Sequence, residues 1–86
     1  MKIKDGYVLK EIAGLYVVIT AKKDMDFDGI LTLNETGAFL WNELSVDKSK
    51  QELLDALLNE FDVSKNKAEE DLEIFLAKLE GLSLIE

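Results

Sequence analysis

The chain predicts an α+β fold, a three-stranded antiparallel sheet followed by three helices in the order β-β-β-α-α-α. Three observations carry that expectation. The first third, YVLKEIAGLYVVITA (residues 7–21), is rich in β-branched and aromatic residues broken by a glycine. Inside GILTLNETGAFLWNEL (29–44) the hydrophobic period then changes from that of a strand to that of a helix. Beyond it, serines of helix-capping type precede two further amphipathic runs, at Ser49 and Ser64.

Taken in order, YVLKEIAG (7–14) places β-formers around a polar pair, and LYVVITA (15–21) is a nearly continuous β-forming run. Gly14 lies between them, which predicts a tight antiparallel hairpin. The polar stretch KKDMDFDG (22–29) reads as a longer loop. ILTL (30–33) is a third strand, with Ile30 and Thr32 on one face and Leu31 and Leu33 on the other. Asn34 caps the first helix, since its side-chain oxygen can accept from a first-turn N–H. Glu35 follows at the positive end of the helix dipole. Gly37, Leu40, Trp41 and Leu44 share one face. Ser49 and Glu52 form a capping box that opens the second helix, lined by Leu53, Leu54, Leu57, Leu58 and Phe61. Ser64 caps the third, whose stripe is Ala68, Leu72, Phe75, Leu76 and Leu79, and Gly81 ends it. LSLIE (82–86) either pairs briefly as a last strand or packs as an extended tail. There are no repeats or linkers.

Composition narrows the functions. The 86 residues, 48% of them hydrophobic, suffice for one domain, residues 1–86, with one modest core. The net charge of −8 opposes binding to a phosphate backbone or an anionic membrane surface. No Cys and no His are present, which removes thiolate chemistry, disulfides and the commonest metal ligands. Carboxylates abound, but none pairs with a recognisable base or nucleophile, so no catalytic residue and no cofactor are expected. No apolar run approaches a membrane span, and KIKDGYVLKEIAG after Met1 has no secretory character. A reducing cytoplasm is the expected location.

Three strands followed by helices joined by the short turn DVS (62–64) outline a winged helix-turn-helix domain. The usual work of that fold is DNA binding. Here the third helix carries acids at positions 69, 70, 71, 73 and 80, unsuited to a major groove. The loop raises a metal reading as well. Asp24, Asp26, Asp28, Gly29 and Glu35 formally match the spacing of a calcium loop. Against it, no helix precedes Asp24, and ILTLNE would have to leave the strand–helix junction. An acidic loop without metal is the expectation.

A strand ending in LTLN, followed at once by ETGAFLW (35–41) and closed by EDLEIFLAKLEGLSLIE (70–86), resembles the PqqD family. That family is also called the RiPP recognition element, for ribosomally synthesised and post-translationally modified peptides. The resemblance runs from Gly6 to Ile85. Its most distinctive part is LN-x-TG-x-x-x-W, Leu33 to Trp41, supported by D-L-x-x-F-L-x-x-L-x-x-x-x-L from Asp71 to Leu84. It implies a non-catalytic protein that holds the leader of a precursor peptide and presents it to a modifying enzyme, often a radical-SAM enzyme. The leader would add as a strand to the third strand and lie in a groove against the third helix. The strand side of that site is Asp28, Gly29, Ile30, Leu31, Thr32 and Leu33. The helix side is Glu69, Leu72, Glu73, Leu76 and Leu79.

Each of these residues also has a plainer reading. Residues 30–33 alone read as an ordinary buried strand. Asn34, Thr36, Gly37 and Trp41 read as structural. The stripe of the third helix is core by default; Leu76 lies at one margin of it, with Glu69, Glu73 and Glu80 just beyond. Those acids predict basic residues flanking the leader's apolar anchors. Ile74 falls on the opposite flank, as a single exposed apolar residue. The alternative function is a winged-helix regulator or adaptor acting through protein contacts; an enzyme subunit without its own active site is a third. A second copy of the chain could pair with the same edge to give a homodimer.

Overall fold

In the computed structural model, which describes residues 1–20 and 31–86, the elements follow the expected order. Strands β1 (Tyr7–Ile12), β2 (Leu15–Thr20) and β3 (Leu31–Leu33) form one antiparallel sheet with β2 in the middle. Helices α1 (Glu35–Glu43), α2 (Lys50–Glu60) and α3 (Lys65–Gly81) follow. The expected loop at 22–29 and the start of the third strand at Ile30 lie outside the described residues.

The hairpin turn fixes the phase of the whole sheet. Ala13 (φ 53°) and Gly14 (φ 81°) both take positive φ between the paired residues Ile12 and Leu15. Two positive φ values in a two-residue loop make a type I′ turn, whose twist matches that of the strands it joins. The residues flanking such a turn exchange both main-chain bonds, and bonded and non-bonded pairs then alternate along the ladder. Leu15, Val17 and Ile19 therefore turn their main-chain groups to β1, and Tyr16, Val18 and Thr20 turn theirs toward β3. Tyr16 lies opposite Leu33 and Val18 opposite Leu31. Leu31 and Leu33 thus bond to β2. Thr32, opposite Val17, directs its N–H and C=O to the free side of the sheet.

The same register sorts the side chains. Tyr7, Leu9, Tyr16, Val18, Leu31 and Leu33 meet the helices and join the core. Val8, Lys10, Ile12, Leu15, Val17, Ile19 and Thr32 occupy the outer face, where Val8, Ile12 and Leu15 are exposed. The helices supply most of the core: Leu40, Trp41 and Leu44 from α1 and its cap, Leu53, Leu54 and Leu57 from α2, and all five stripe residues of α3. Phe61 caps α2 rather than continuing it, and its ring meets Phe39 edge-on at 5.4 Å.

The caps form as the serines predict. Ser49 Oγ accepts from Glu52 N at 3.1 Å while Glu52 Oε1 accepts from Ser49 N at 2.9 Å. The backbone hydrogen bond from Ser49 holds the Glu52 carboxyl below its ordinary pKa, and the bond to the Ser49 side chain adds to this. Ser64 Oγ accepts from Lys67 N at 3.2 Å. The last residues do not extend the sheet. Ile85 makes an isolated bridge to Ile3, and the segment around residue 3 is tied back by Ile3 N to Leu44 O (3.0 Å) and Lys4 N to Leu84 O (2.8 Å). Among the described residues no helix is long and apolar enough to cross a membrane.

The end of α3 differs from the glycine stop that Gly81 suggests. Gly81 is the last helical residue, and the left-handed position falls on Ser83 (φ 57°). Ser83 N donates to Glu80 O at 3.0 Å and Leu84 N to Leu79 O at 2.9 Å, with Leu79 and Leu84 both buried. This is a Schellman closure built on a residue with a Cβ, which strains the backbone there. Ser83→Gly is therefore expected to stabilise the fold by ~0.5–1 kcal/mol, read as a melting temperature higher by a few degrees. A lower melting temperature would show that the serine hydroxyl holds the closure.

Candidate functional site

The feature with the best-defined chemistry is an open groove of about 470 Å³ between the free edge of β3 and one flank of α3. Its formation starts at the strand–helix junction. Asn34 Oδ1 accepts from Gly37 N at 2.8 Å, so the helix begins one residue after the strand ends. The junction is tight at Gly37. A Cβ on Gly37 would stand 3.2 Å from Leu33 Cβ, Leu33 Cδ2 and Asn34 Oδ1. The chain thus leaves the sheet abruptly, and nothing in the following helix continues β3 or covers its edge.

Thr32, Leu33 and Asn34, with Leu15 from β2, form the sheet side of the groove. Asp71, Ile74, Phe75 and Lys78 form the helix side, a set spaced over two turns of one face. Phe75 is buried at 4% exposure and forms the floor, whereas Ile74 and Leu15 stand 50% and 58% exposed at the mouth. Large apolar side chains left open beside a strand edge that is unpaired among the described residues suit an extended peptide with an apolar anchor. Charge lies at the two ends of the helix wall. Asp71 pairs with Lys67 at 3.1 Å, and that hydrogen bond, followed by the charges of Asp71 and Glu70, raises the pKa of Lys67. Lys78 makes no ion pair among the described residues.

The expected site residues separate on this frame. Thr32 is exposed at the edge, Leu31 is half-buried and Leu33 is in the core. Asp28, Gly29 and Ile30 lie outside the described residues, as do Asp24 and Asp26 of the calcium-loop spacing. Leu72, Leu76 and Leu79 are buried in the core at 8% exposure or less. Glu69 and Glu73 stand on the other flank of α3. With Leu72 they line a second depression, about 410 Å³, against Lys50, Gln51 and Leu54 of α2. There Glu73 pairs with Lys50 at 3.1 Å and Glu69 with Lys65 at 3.9 Å. The groove beside β3 instead takes Ile74, Asp71, Lys78 and Leu15, none of which was among the expected site residues. The signal for them was Ile74, an apolar residue off the stripe. Among the described residues no group of three or more metal-ligating side chains comes together.

A family model described as Coenzyme PQQ synthesis protein D (PqqD) matches residues 20–85. No curated protein matches the chain. Of solved structures, one described as TbiB1 in complex with the TbiA(beta) leader peptide is similar with a TM-score of 0.73 at 29% identity, over 100% of this chain and 95% of that one. A second, described as lasso peptide synthetase B1 complexed with the leader peptide, has a TM-score of 0.69 at 16% identity, over 99% and 95% of the two chains. At that identity the second likeness bears on the fold alone.

Proposed function

The chain belongs to the PqqD family, and on that premise we propose that it is a non-catalytic receptor for the leader of a ribosomally made precursor peptide. The leader adds as a strand to β3, sets an apolar side chain into the groove against α3, and is thereby presented to a separate modifying enzyme. The whole of residues 1–86 acts as one recognition domain, in the cytoplasm where its precursor is made. The observation that carries this reading is the orientation of Thr32. Its main-chain donor and acceptor face an edge that no other strand covers among the described residues, directly beside the exposed Ile74 and Leu15. The solved likeness that holds a leader peptide supports the same reading. The family resemblance favours a radical-SAM partner. A short precursor gene and a radical-SAM gene beside this one would support that partner.

The reading is tested by titrating isotope-labelled protein with the leader of the precursor encoded beside it. Amide shifts clustered on residues 31–34 and 71–78 support it. Shifts confined to the turn at 62–64, or to the α2–α3 depression, would move the site elsewhere. A pair of substitutions sharpens the test. Ile74→Ala removes exposed apolar area from the groove, and about 1 kcal/mol of lost burial makes leader binding roughly five-fold weaker with little change in melting temperature. Leu76→Ala lies in the core, so it mainly destabilises, by ~2–5 kcal/mol. The reverse pattern would place the leader on the α2 side of α3.

A further inference from the structure

We propose that Lys78 is a specificity-determining residue of the groove and that it selects leaders carrying an acidic side chain two positions from the apolar anchor. This rests on the leader-binding reading and adds to it the chemistry of the peptide. Ile74 and Lys78 are one helical turn apart on the wall, about 6 Å at 1.5 Å per residue. Residues two apart on one face of an extended strand are ~6.6–6.8 Å apart. A peptide strand that runs along α3 with its anchor over Ile74 and Phe75 brings its next same-face side chain over Lys78.

The charges favour an acid at that point. Lys78 stands in the groove wall without an ion pair among the described residues, whereas Asp71 at the other end is already paired with Lys67 at 3.1 Å. Among the described residues Lys78 is thus the charge of this wall that has no counter-ion. It runs against the field of the whole molecule, whose net charge of −8 attracts basic peptides without regard to position. Long-range attraction would enrich Lys and Arg everywhere in a bound peptide. Contact with Lys78 enriches Asp or Glu at one place, and the two effects are separable by position.

The test selects a display library of randomised twelve-residue peptides on the immobilised full chain and on three variants, Lys78→Glu, Lys78→Gln and Thr32→Pro. Lys78 is exposed and has no ion pair among the described residues, so folding of its variants is expected to be intact and is checked by melting. The wild-type protein is expected to enrich an acidic residue two positions from a large apolar one. Lys78→Glu is expected to keep the apolar position and to change its neighbour to Lys or Arg. A synthetic peptide of the enriched sequence, with its acid changed to amide, should bind wild type about two- to five-fold more weakly, the range of a solvent-exposed ion pair. Against Lys78→Gln that change should have no effect. Enriched peptides that lose binding to Thr32→Pro but show no acidic position would overturn the role of Lys78 and leave the leader-binding reading standing. No enrichment at all, or enrichment indifferent to Thr32→Pro, would overturn both.

Discussion

Trp41→Ala is expected to leave the chain without a cooperative unfolding transition near 37 °C. Trp41 is only 6% exposed in the core, on the face of α1 shared with Leu40 and Leu44. It also lies beneath the N-terminal segment, with Ile3 and Tyr7 around the same depression. Truncating a buried large aromatic side chain costs ~3–5 kcal/mol. A domain of this size has on the order of 5 kcal/mol in total. The loss also reaches the segment that ties Ile3 N to Leu44 O, because Ile3 shares the core and this depression with Trp41. Far-UV circular dichroism against temperature is the measurement, since the variant has no tryptophan left to report by fluorescence. An unchanged melting temperature would mean that the indole is on the surface, and a surface tryptophan would be a binding candidate in its own right.

Thr32→Pro is expected to weaken leader binding by roughly 10- to 100-fold while the domain stays folded. The phase of the ladder makes this variant informative. Leu31 and Leu33 hold β3 to β2, so removing the Thr32 N–H takes nothing from the β2–β3 pairing. Proline is accepted on an edge strand when its missing donor faces outward, and the preceding Leu31 already has the extended conformation that proline requires. The peptide loses one main-chain bond and has a carbonyl left unsatisfied against the ring. Together these are worth ~1.5–3 kcal/mol. Thr32→Val keeps the backbone and shape and is expected to bind nearly as wild type. A collapse in melting temperature with Thr32→Pro would show that the Thr32 donor serves the sheet. Full-strength binding by the folded variant would remove β3 from the site.

What the sequence made legible was local. The Asn34, Ser49 and Ser64 caps each depend on a side chain and an amide three residues later, and all three are present. The five apolar residues of the α3 stripe are all buried, because periodicity alone decides which face of a helix turns inward. Periodicity is silent on the two flanks of that stripe. Glu69 and Glu73 lie on one flank, Asp71, Ile74 and Lys78 on the other, and nothing in the helix says which neighbour each will meet. Packing decides it, by setting α2 against the first flank and β3 against the second. Ile74 carried the available hint, since an apolar residue outside a core stripe is free to serve a partner. Ser83 shows the converse case. Its left-handed backbone follows from how Leu84 reaches back to Leu79, and a glycine two positions earlier drew the expectation away from it.

The outward-facing backbone of Thr32 also limits what the edge can distinguish. Main-chain pairing tells odd positions of a peptide from even ones and nothing finer. A strand shifted by two residues, ~6.8 Å, offers the same bonds and turns the same set of side chains toward α3. The edge acts as a parity check, and the groove beside it supplies the address. Insertion of one residue between anchor and acid puts the two on opposite faces, which a backbone-paired strand has no way to correct. Two leaders with little else in common can then share this berth, provided they agree in parity and in one apolar side chain. On the reading proposed above, the segment that trails out of the groove is displaced in steps of two residues.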